Sequence, residues 1–256
     1  MLQVAPDSLW RAPHADLTLA PHEIHVWRAA LHMPASTVLR LQQALSVDEV
    51  VRAARYAFPQ DRDHFIVARG VLRIILSRYL QLRPRHLRFR YNPYGKPALT
   101  AEAGLGELNF NLSHSHGMVL YAITCGRAIG IDLEHVRDEP VCEQIANRFF
   151  TTHEAASLAS VPALLRQKAF FTCWTRKEAY IKARGDGLSH PLNAFEVSVL
   201  PDQAARLIRT EADASEADRW SMHEVHPGHG FVGTLVAERG HWAVTHWQCD
   251  DHWVLH

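Results

Sequence analysis

Alternation of apolar and polar positions dominates the middle of the chain. Leu108, Phe110 and Leu112 interleave with Asn109, Asn111 and Ser113, the period of a half-buried strand whose second face is polar and amide-rich. Residues 118–124 are apolar and strand-like, and Cys125-Gly126-Arg127 turns the chain. Ile129, Ile131 and Leu133 then lie on one face, leaving Gly130, Asp132 and Glu134 on the other, and the two runs are expected to pair as a hairpin. Ile24, Val26 and Trp27 mark an earlier strand, and Leu87 begins a short one that ends in the turn Asn92-Pro-Tyr-Gly-Lys96-Pro97.

Elsewhere the period is helical. Ser46-Val-Asp-Glu49 has capping-box form, so a helix is expected from Val47 towards Phe58, stopped by Pro59. A second helix, over 62–80, places Phe65, Ala68, Leu72, Ile75 or Leu76 and Tyr79 on one stripe, with Arg69 and Arg73 on or beside it. After a Thr cap a short helix covers 154–159. A long one covers 162–183, with Phe170, Cys173 or Trp174 and Ile181 as its apolar side and Gly185-Asp186-Gly187 at its end. A strand at 195–199 and a meander over 220–225, 230–237 and 242–248 complete the chain. Helices beside antiparallel strands in each half read as α+β, and the helix pairs over 47–80 and 154–183 are candidate copies.

Composition narrows the function. The 256 residues are 47% hydrophobic and 21% charged, as in a globular protein with ample core. No apolar run reaches membrane-spanning length and the start lacks a signal pattern, so no membrane partner is expected. The four cysteines (Cys125, Cys142, Cys173, Cys249) form no C-x-x-C, which fits a cytoplasmic setting. Net charge is zero, against generic nucleic-acid binding. Residues 1–125 hold 14 basic against 9 acidic side chains and the remainder 13 against 18, a split suited to an anion and a cation.

The candidate chemistry sits on a few stretches. Glu178 and Lys182, four apart on the long helix, stand one above the other, a potential base and phosphate clamp. Taken alone they are an exposed ion pair worth a few tenths of a kcal/mol, ~0.3. Asp132 and Glu134 repel each other on one strand face unless a cation lies between them, and such oxygen donors suit Mg²⁺. Ser113-His114-Ser115-His116-Gly117 offers either a plain turn or a ring of donors for a phosphate, and Arg69 with Arg73 has the spacing to grip one.

Taken in order, Gly95-Lys96-Pro97, Phe110-Asn111-Leu112-Ser113-His114, Gly130-Ile131-Asp132-Leu133-Glu134, Phe149-Phe150 and Trp174-Thr-Arg-Lys177-Glu178-Ala-Tyr-Ile-Lys182 resemble the Sfp-type 4′-phosphopantetheinyl transferases. The match runs from about Val47 to Phe195, and Gly187-Leu-x-x-Pro191 continues it. The resemblance implies two similar α+β halves, 1–126 and 127–256, with the active site between them. It implies a Mg²⁺-dependent enzyme that transfers the phosphopantetheine arm of coenzyme A to a serine of an apo acyl or peptidyl carrier protein, releasing 3′,5′-ADP. Asp132, Glu134 and Glu178 would hold the metal. Arg69, Lys96, Pro97, Asn111, Ser113 and His114 would contact coenzyme A, with Glu178 and Lys182 catalytic. Polyketide, nonribosomal peptide, fatty acid and siderophore pathways all use such acceptors, and the two-half layout implies a monomer.

The chemistry of the residues agrees with this. A serine hydroxyl needs a nearby base, for which Glu178 is placed. Three carboxylates on one divalent ion leave a negative cluster, so Glu134 is expected to contribute less than Asp132 and Glu178. Trp174 is expected to pack rather than to touch a ligand. Two alternatives compete: a non-catalytic coenzyme A-binding or carrier-docking module, and a metal-dependent phosphohydrolase that needs no protein acceptor.

Overall fold

One chain path occurs twice. In its first pass, strand β1 (Glu23–Ala30) leads to helices α1 (Ala35–Gln43), α2 (Val47–Ala53) and α3 (Pro59–Leu80), then to strands β2 (Phe89–Tyr91), β3 (Pro97–Leu99), β4 (Leu108–Ser115) and β5 (Met118–Cys125). In its second, β6 (Ile129–His135) leads to α4 (Cys142–Phe149), α5 (Thr152–Ser160) and α6 (Ala163–Arg184), then to β7 (Phe195–Val197) and β8 (Leu207–Thr210). The one-turn α7 (Glu216–Arg219) precedes β9 (Trp220–Val225) and β10 (Phe231–Glu238), and β11 (Ala243–Cys249) and α8 (Asp251–Leu255) close the chain. The computed structural model describes residues 9–14, 17–100, 108–137, 142–213 and 215–255.

The pairing repeats as well. β5 runs antiparallel to both β1 and β4, and β10 antiparallel to both β6 and β9. β2–β3 and β7–β8 are matching two-stranded ribbons. The long helices α3 and α6 have 22 residues each and both end on a left-handed residue, Gln81 and Gly185. Two similar α+β halves are therefore present. Among the described residues no helix is long and apolar enough to cross a membrane.

Several local expectations change. β5 and β6 do not form a hairpin: β5 lies inside the sheet β11-β1-β5-β4 while β6 is an edge of β6-β10-β9. The physical reason is that β5 is buried along nearly its whole length and takes a strand on each side, so the turn at 125–127 is a crossover between sheets. The 220–248 stretch is not a three-stranded meander either. β11 leaves β10 and runs parallel to β1, where Trp247 packs against Trp27. α2 stops at Ala53, because Pro59 occupies the first position of α3 instead of merely ending the preceding helix. α1, with only Val38 and Leu41 as buried apolar positions, has too weak a stripe to be read from sequence.

The layers follow from which faces are apolar. α3 covers one face of the first sheet through Val67, Val71, Leu72 and Ile75, which meet Trp27, Val119 and Tyr121. α6 covers the second sheet through Ala179, Tyr180 and Ile181, in a cluster with Val232 and Val236. A third cluster joins the remaining sheet faces, with Ile24, Val26, Leu120 and Ala122 against Ile129, Ile131, Leu133 and Leu235. Each buried Val, Leu or Ile among them contributes about 1.5–3 kcal/mol of burial energy. Where β4 and β6 meet, the bridging is polar. Asn111 Oδ1 accepts from the Ile131 amide at 2.8 Å, Ser113 Oγ donates to Asp132 at 2.8 Å, and Ser115 Oγ donates to Glu134 at 2.8 Å. The polar alternation of β4 is thus the seam between the halves.

Candidate active site

Gly130 sets the spacing of the site. A Cβ there would lie 2.1 Å from the Ala179 carbonyl and 2.3 Å from the Ala183 amide, so only glycine lets α6 rest its backbone on β6. Ala179 and Ala183 each follow a candidate residue, Glu178 and Lys182. The close approach therefore brings those two side chains over Asp132 and Glu134. Behind them, Thr175 and Thr234 hydroxyls meet at 3.1 Å, fixing α6 to β10.

Asp132 is buried and Lys182 is half-buried. Lys182 Nζ donates to Asp132 Oδ1 at 2.6 Å and to Ser113 Oγ at 2.9 Å, while Ser113 Oγ donates to the same Asp132 oxygen. The other oxygen, Asp132 Oδ2, is buried without a hydrogen-bond partner. Glu134 is held by Ser115, with Arg137 at 3.9 Å. Burial pushes the Glu178 carboxyl up to about 7, helped by the Asp132 and Glu134 charges and opposed by Lys182. The Glu134 carboxyl is raised too, first by burial, with the Ser115 hydroxyl working against it. His114 is held below the ordinary histidine range by desolvation in the cleft and then by the Lys182 ammonium.

Two connected chambers surround these groups. One, of about 730 Å³, is lined by Arg69, Pro97, Ser113, His114, Asp132, Glu134, Glu178 and Lys182, with Arg52, His64, Tyr91 and Trp174 on its rim and floor. The other, of about 500 Å³, is lined by Tyr94, Lys96, Pro97, Asn111, Glu178, Ile181 and Lys182. All ten residues singled out in the sequence therefore line one cleft or the other, although they come from three strands, two long helices and a turn. Both halves contribute.

Their roles are not all those expected. Arg73 grips no phosphate. It is buried and spends its donors on Glu49, Ser46 and the Pro84 and Leu87 carbonyls. Arg69 pairs with Glu49 at 3.0 Å and donates to the Tyr91 hydroxyl, yet stays on the cleft wall. Lys96 Nζ and Asn111 Oδ1 are engaged by backbone groups of the second half. Trp174 stacks on Phe170 and meets Phe150 at a tilt, as expected of a packing residue, and also lines the cleft. Sequence reasoning took Ser115 only as one donor of a loop, whereas β4 continues through it and aims its hydroxyl at Glu134. It missed the burial of two carboxylates, Glu49, seen only in a capping box, and Glu154, seen only at a helix start.

Among the described residues no three His, Cys, Asp or Glu side chains are gathered tightly enough to hold a metal as they stand. Lys182 occupies one Asp132 oxygen and Ser115 one Glu134 oxygen. The donor set nevertheless fits a hard cation. All three candidate ligands are carboxylates, and the buried, unpartnered Asp132 Oδ2 is an acceptor that lacks a positive or donor group.

Comparison with known proteins places the chain. The model of the 4′-phosphopantetheinyl transferase superfamily matches residues 128–242, and that of the 4′-phosphopantetheinyl transferase N-terminal region matches residues 27–125. The chain is 39% identical to the 4′-phosphopantetheinyl transferase HetI of Nostoc sp. strain PCC 7120, over 93% of this chain and 97% of the relative. It is 31% identical to the 4′-phosphopantetheinyl transferase Sfp of Bacillus subtilis strain 168, over 64% of this chain and 70% of that one. With both halves matched in order and nearly the whole length aligned, the chain belongs to the 4′-phosphopantetheinyl transferase family.

Proposed function

We propose that the cleft transfers the phosphopantetheine arm of coenzyme A to a serine hydroxyl of an apo acyl or peptidyl carrier protein, with Mg²⁺ as cofactor. The observation that carries this reading is the convergence of Asp132, Glu134, Glu178 and Lys182 on one cleft between the halves. Asp132 and Glu178, with Glu134 in a lesser part, would hold Mg²⁺, whose chemistry is to neutralise diphosphate charge and polarise the phosphoryl group. Glu178, with its raised pKa, is suited to take the proton of the serine hydroxyl near neutral pH. The serine oxygen forms a bond to the phosphorus of the arm as the bond to the 3′,5′-ADP oxygen breaks. Lys182 and His114 flank the charge that collects on the departing diphosphate oxygen. Arg69, Pro97 and Ser113 line the bed for coenzyme A, while Lys96 and Asn111 shape its wall. The first half, 1–126, supplies most of that bed and the second, 127–256, the carboxylates. The enzyme is read as a cytoplasmic monomer.

The test is a panel of apo-carriers incubated with coenzyme A, with the added arm read by mass, with Mg²⁺ and with chelator. Wild-type protein should add one arm only when Mg²⁺ is present, and Glu178→Gln should add none while still binding coenzyme A. Wild-type turnover by Glu178→Gln would remove the base assignment. Coenzyme A binding without turnover on any carrier would favour a docking module instead.

A further inference from the structure

The end of α6, the helix that carries Glu178 and Lys182, is capped from the other half of the molecule. A helix leaves its last carbonyls without intrahelical partners. In α6 the Ile181 carbonyl is taken by the Gly185 amide at 2.9 Å, within the helix's own turn. The next ones are taken by the β2–β3 turn of the first half. Lys96 Nζ donates to the Lys182 carbonyl at 2.5 Å and the Ala183 carbonyl at 3.3 Å, and Asn92 Nδ2 donates to the Gly185 carbonyl at 2.7 Å. The third Lys96 donor goes to the Ile129 carbonyl at 3.0 Å, at the start of β6. An ammonium has three N–H groups, and all three are thereby used on backbone.

The arm that delivers this cap is itself ordered. Asn92 Oδ1 accepts from the Tyr94 amide at 3.0 Å and the Lys96 amide at 2.9 Å, so one side chain both shapes the turn and reaches α6. Tyr94 lies so close to Gly187 that a Cβ there would meet it at 2.7 Å. A cation at a helix C-terminus is also favoured by the helix dipole. Burial alone pulls the Lys96 ammonium down to about 8, with no neighbouring charge contributing. Among the described residues, nothing from the opposite half caps the duplicated helix α3 in this way. Its last turn is closed by neighbours in sequence, with the Leu82 amide on the Ser77 carbonyl and Gln81 Nε2 on the Arg78 carbonyl. A cap supplied by the opposite half belongs to the helix that bears the chemistry.

We infer that Lys96 and Asn92 are positioning residues: by capping α6 across the seam they hold its last turn, and hence the Lys182 ammonium, on Asp132. The inference rests on the role given to Lys182 above. Last turns of helices fray readily, and a displacement of about 1 Å in a positioned group costs on the order of a hundredfold in rate. Lys96 therefore acts on turnover through the backbone of Lys182 and makes no contact with a coenzyme A phosphate.

The experiment compares Lys96→Met, Asn92→Ala, Lys182→Met and the double variant Lys96→Met/Lys182→Met in the full chain. Three quantities are read: kcat for arm transfer to an apo-carrier, the Kd for coenzyme A, and amide hydrogen exchange at 182–187. Lys96→Met should lower kcat about ten- to a hundredfold, leave the coenzyme A Kd within about twofold, and speed exchange at the end of α6. In the Lys182→Met background it should cost less than about twofold more, because both changes remove one function. A coenzyme A Kd weakened tenfold or more with kcat retained would overturn the inference in favour of a direct phosphate contact. So would an additive loss in the double variant, or unchanged exchange at 182–187. If Lys96→Met does not fold, Asn92→Ala gives the same three readings with the ammonium intact. Full activity of Lys182→Met would instead sink the role of Lys182, and the exchange reading still decides the cap.

Discussion

Lys177 Nζ lies 2.8 Å from a Glu154 carboxylate oxygen with both side chains wholly buried. The same ammonium donates to the Leu192 and Phe195 carbonyls, and Glu154 also accepts from the Thr151 and Val197 amides. The first half has a counterpart in Arg73 on Glu49 at 2.5 Å, with the Pro84 and Leu87 carbonyls as further acceptors. Arg73 and Lys177 are each the fifteenth residue of a 22-residue helix, and Glu49 and Glu154 each close a capping box. Each half is thus pinned by a buried carboxylate whose ion pairing ties its long helix to a preceding short one and to the chain entering its ribbon.

A pin of this kind is costly to break. Glu154→Gln keeps the shape but leaves the ammonium buried without a counter-charge, and should destabilise by about 3–5 kcal/mol. Lys177→Met added to it should recover part of that loss, since the charge to be buried is then gone. Urea unfolding of the two variants measures this, and a loss under about 1 kcal/mol for Glu154→Gln would contradict it.

Gly130→Ala should damage both stability and turnover. The new methyl would sit 2.1 Å from the Ala179 carbonyl, and backbone cannot swing aside as a side chain can. Overpacking of this sort costs about 1–3 kcal/mol and forces α6 away from β6. The carboxylates on the two elements would separate with it. The expected result is a lower Tm and a loss of arm transfer that persists at temperatures where the variant is fully folded.

Stability of the metal-free protein should carry the signature of Glu178. Its folded pKa, about 7, lies above its ordinary value of 4.5, so the folded state holds the proton more tightly than the unfolded chain. Stability contributed by this group is complete at low pH and is lost as pH rises from about 4.5 through about 7. Glu178→Gln has no such loss. The Tm of Glu178→Gln minus that of wild type should therefore grow between pH 5 and pH 8, in chelator. A constant difference would mean the carboxyl is not raised.

Mg²⁺ should reverse that trend, because a cation relieves the repulsion among Asp132, Glu134 and Glu178. Added Mg²⁺ should raise the wild-type Tm at pH 8, the more so with concentration, by binding the folded state alone. Asp132→Asn, which removes the charge beside the unpartnered oxygen, should abolish the Mg²⁺ response. An undiminished response in that variant would place the cation elsewhere.

The candidate carboxylates all lie in the second half, and the duplication shows what stands at the matching places of the first. Tyr121 and Thr234 are each the fourth residue of their strands, and they face Trp27 and Asp132 respectively. The first half fills with two aromatic rings the place that the second keeps for a carboxylate and a hydroxyl. Glu178 and Lys182 are the sixteenth and twentieth residues of α6, where α3 has Ile74 and Arg78. Ile74 packs on the first core and Arg78 lies over Trp253.

Local chemistry in the sequence determined the elements: the period-2 runs of β4 and β6, the capping boxes at Ser46 and Thr151, and the glycine ending of α6 each follow from neighbours within a few residues. The ten candidate site residues were legible too, since motif order survives in one dimension. Strand partners were not. β5 is equally apolar against any neighbour, and β11 finds β1 across the length of the chain, so neither pairing has a local signal. Hydrogen-bond direction was equally hidden. Whether Arg73 meets a phosphate or Glu49, and whether Lys96 points into the cleft or at the carbonyls of α6, depends on which unpaired groups folding brings within about 3 Å. Tertiary packing alone decided which of these charges were free to act on a ligand and which were spent holding the cleft together.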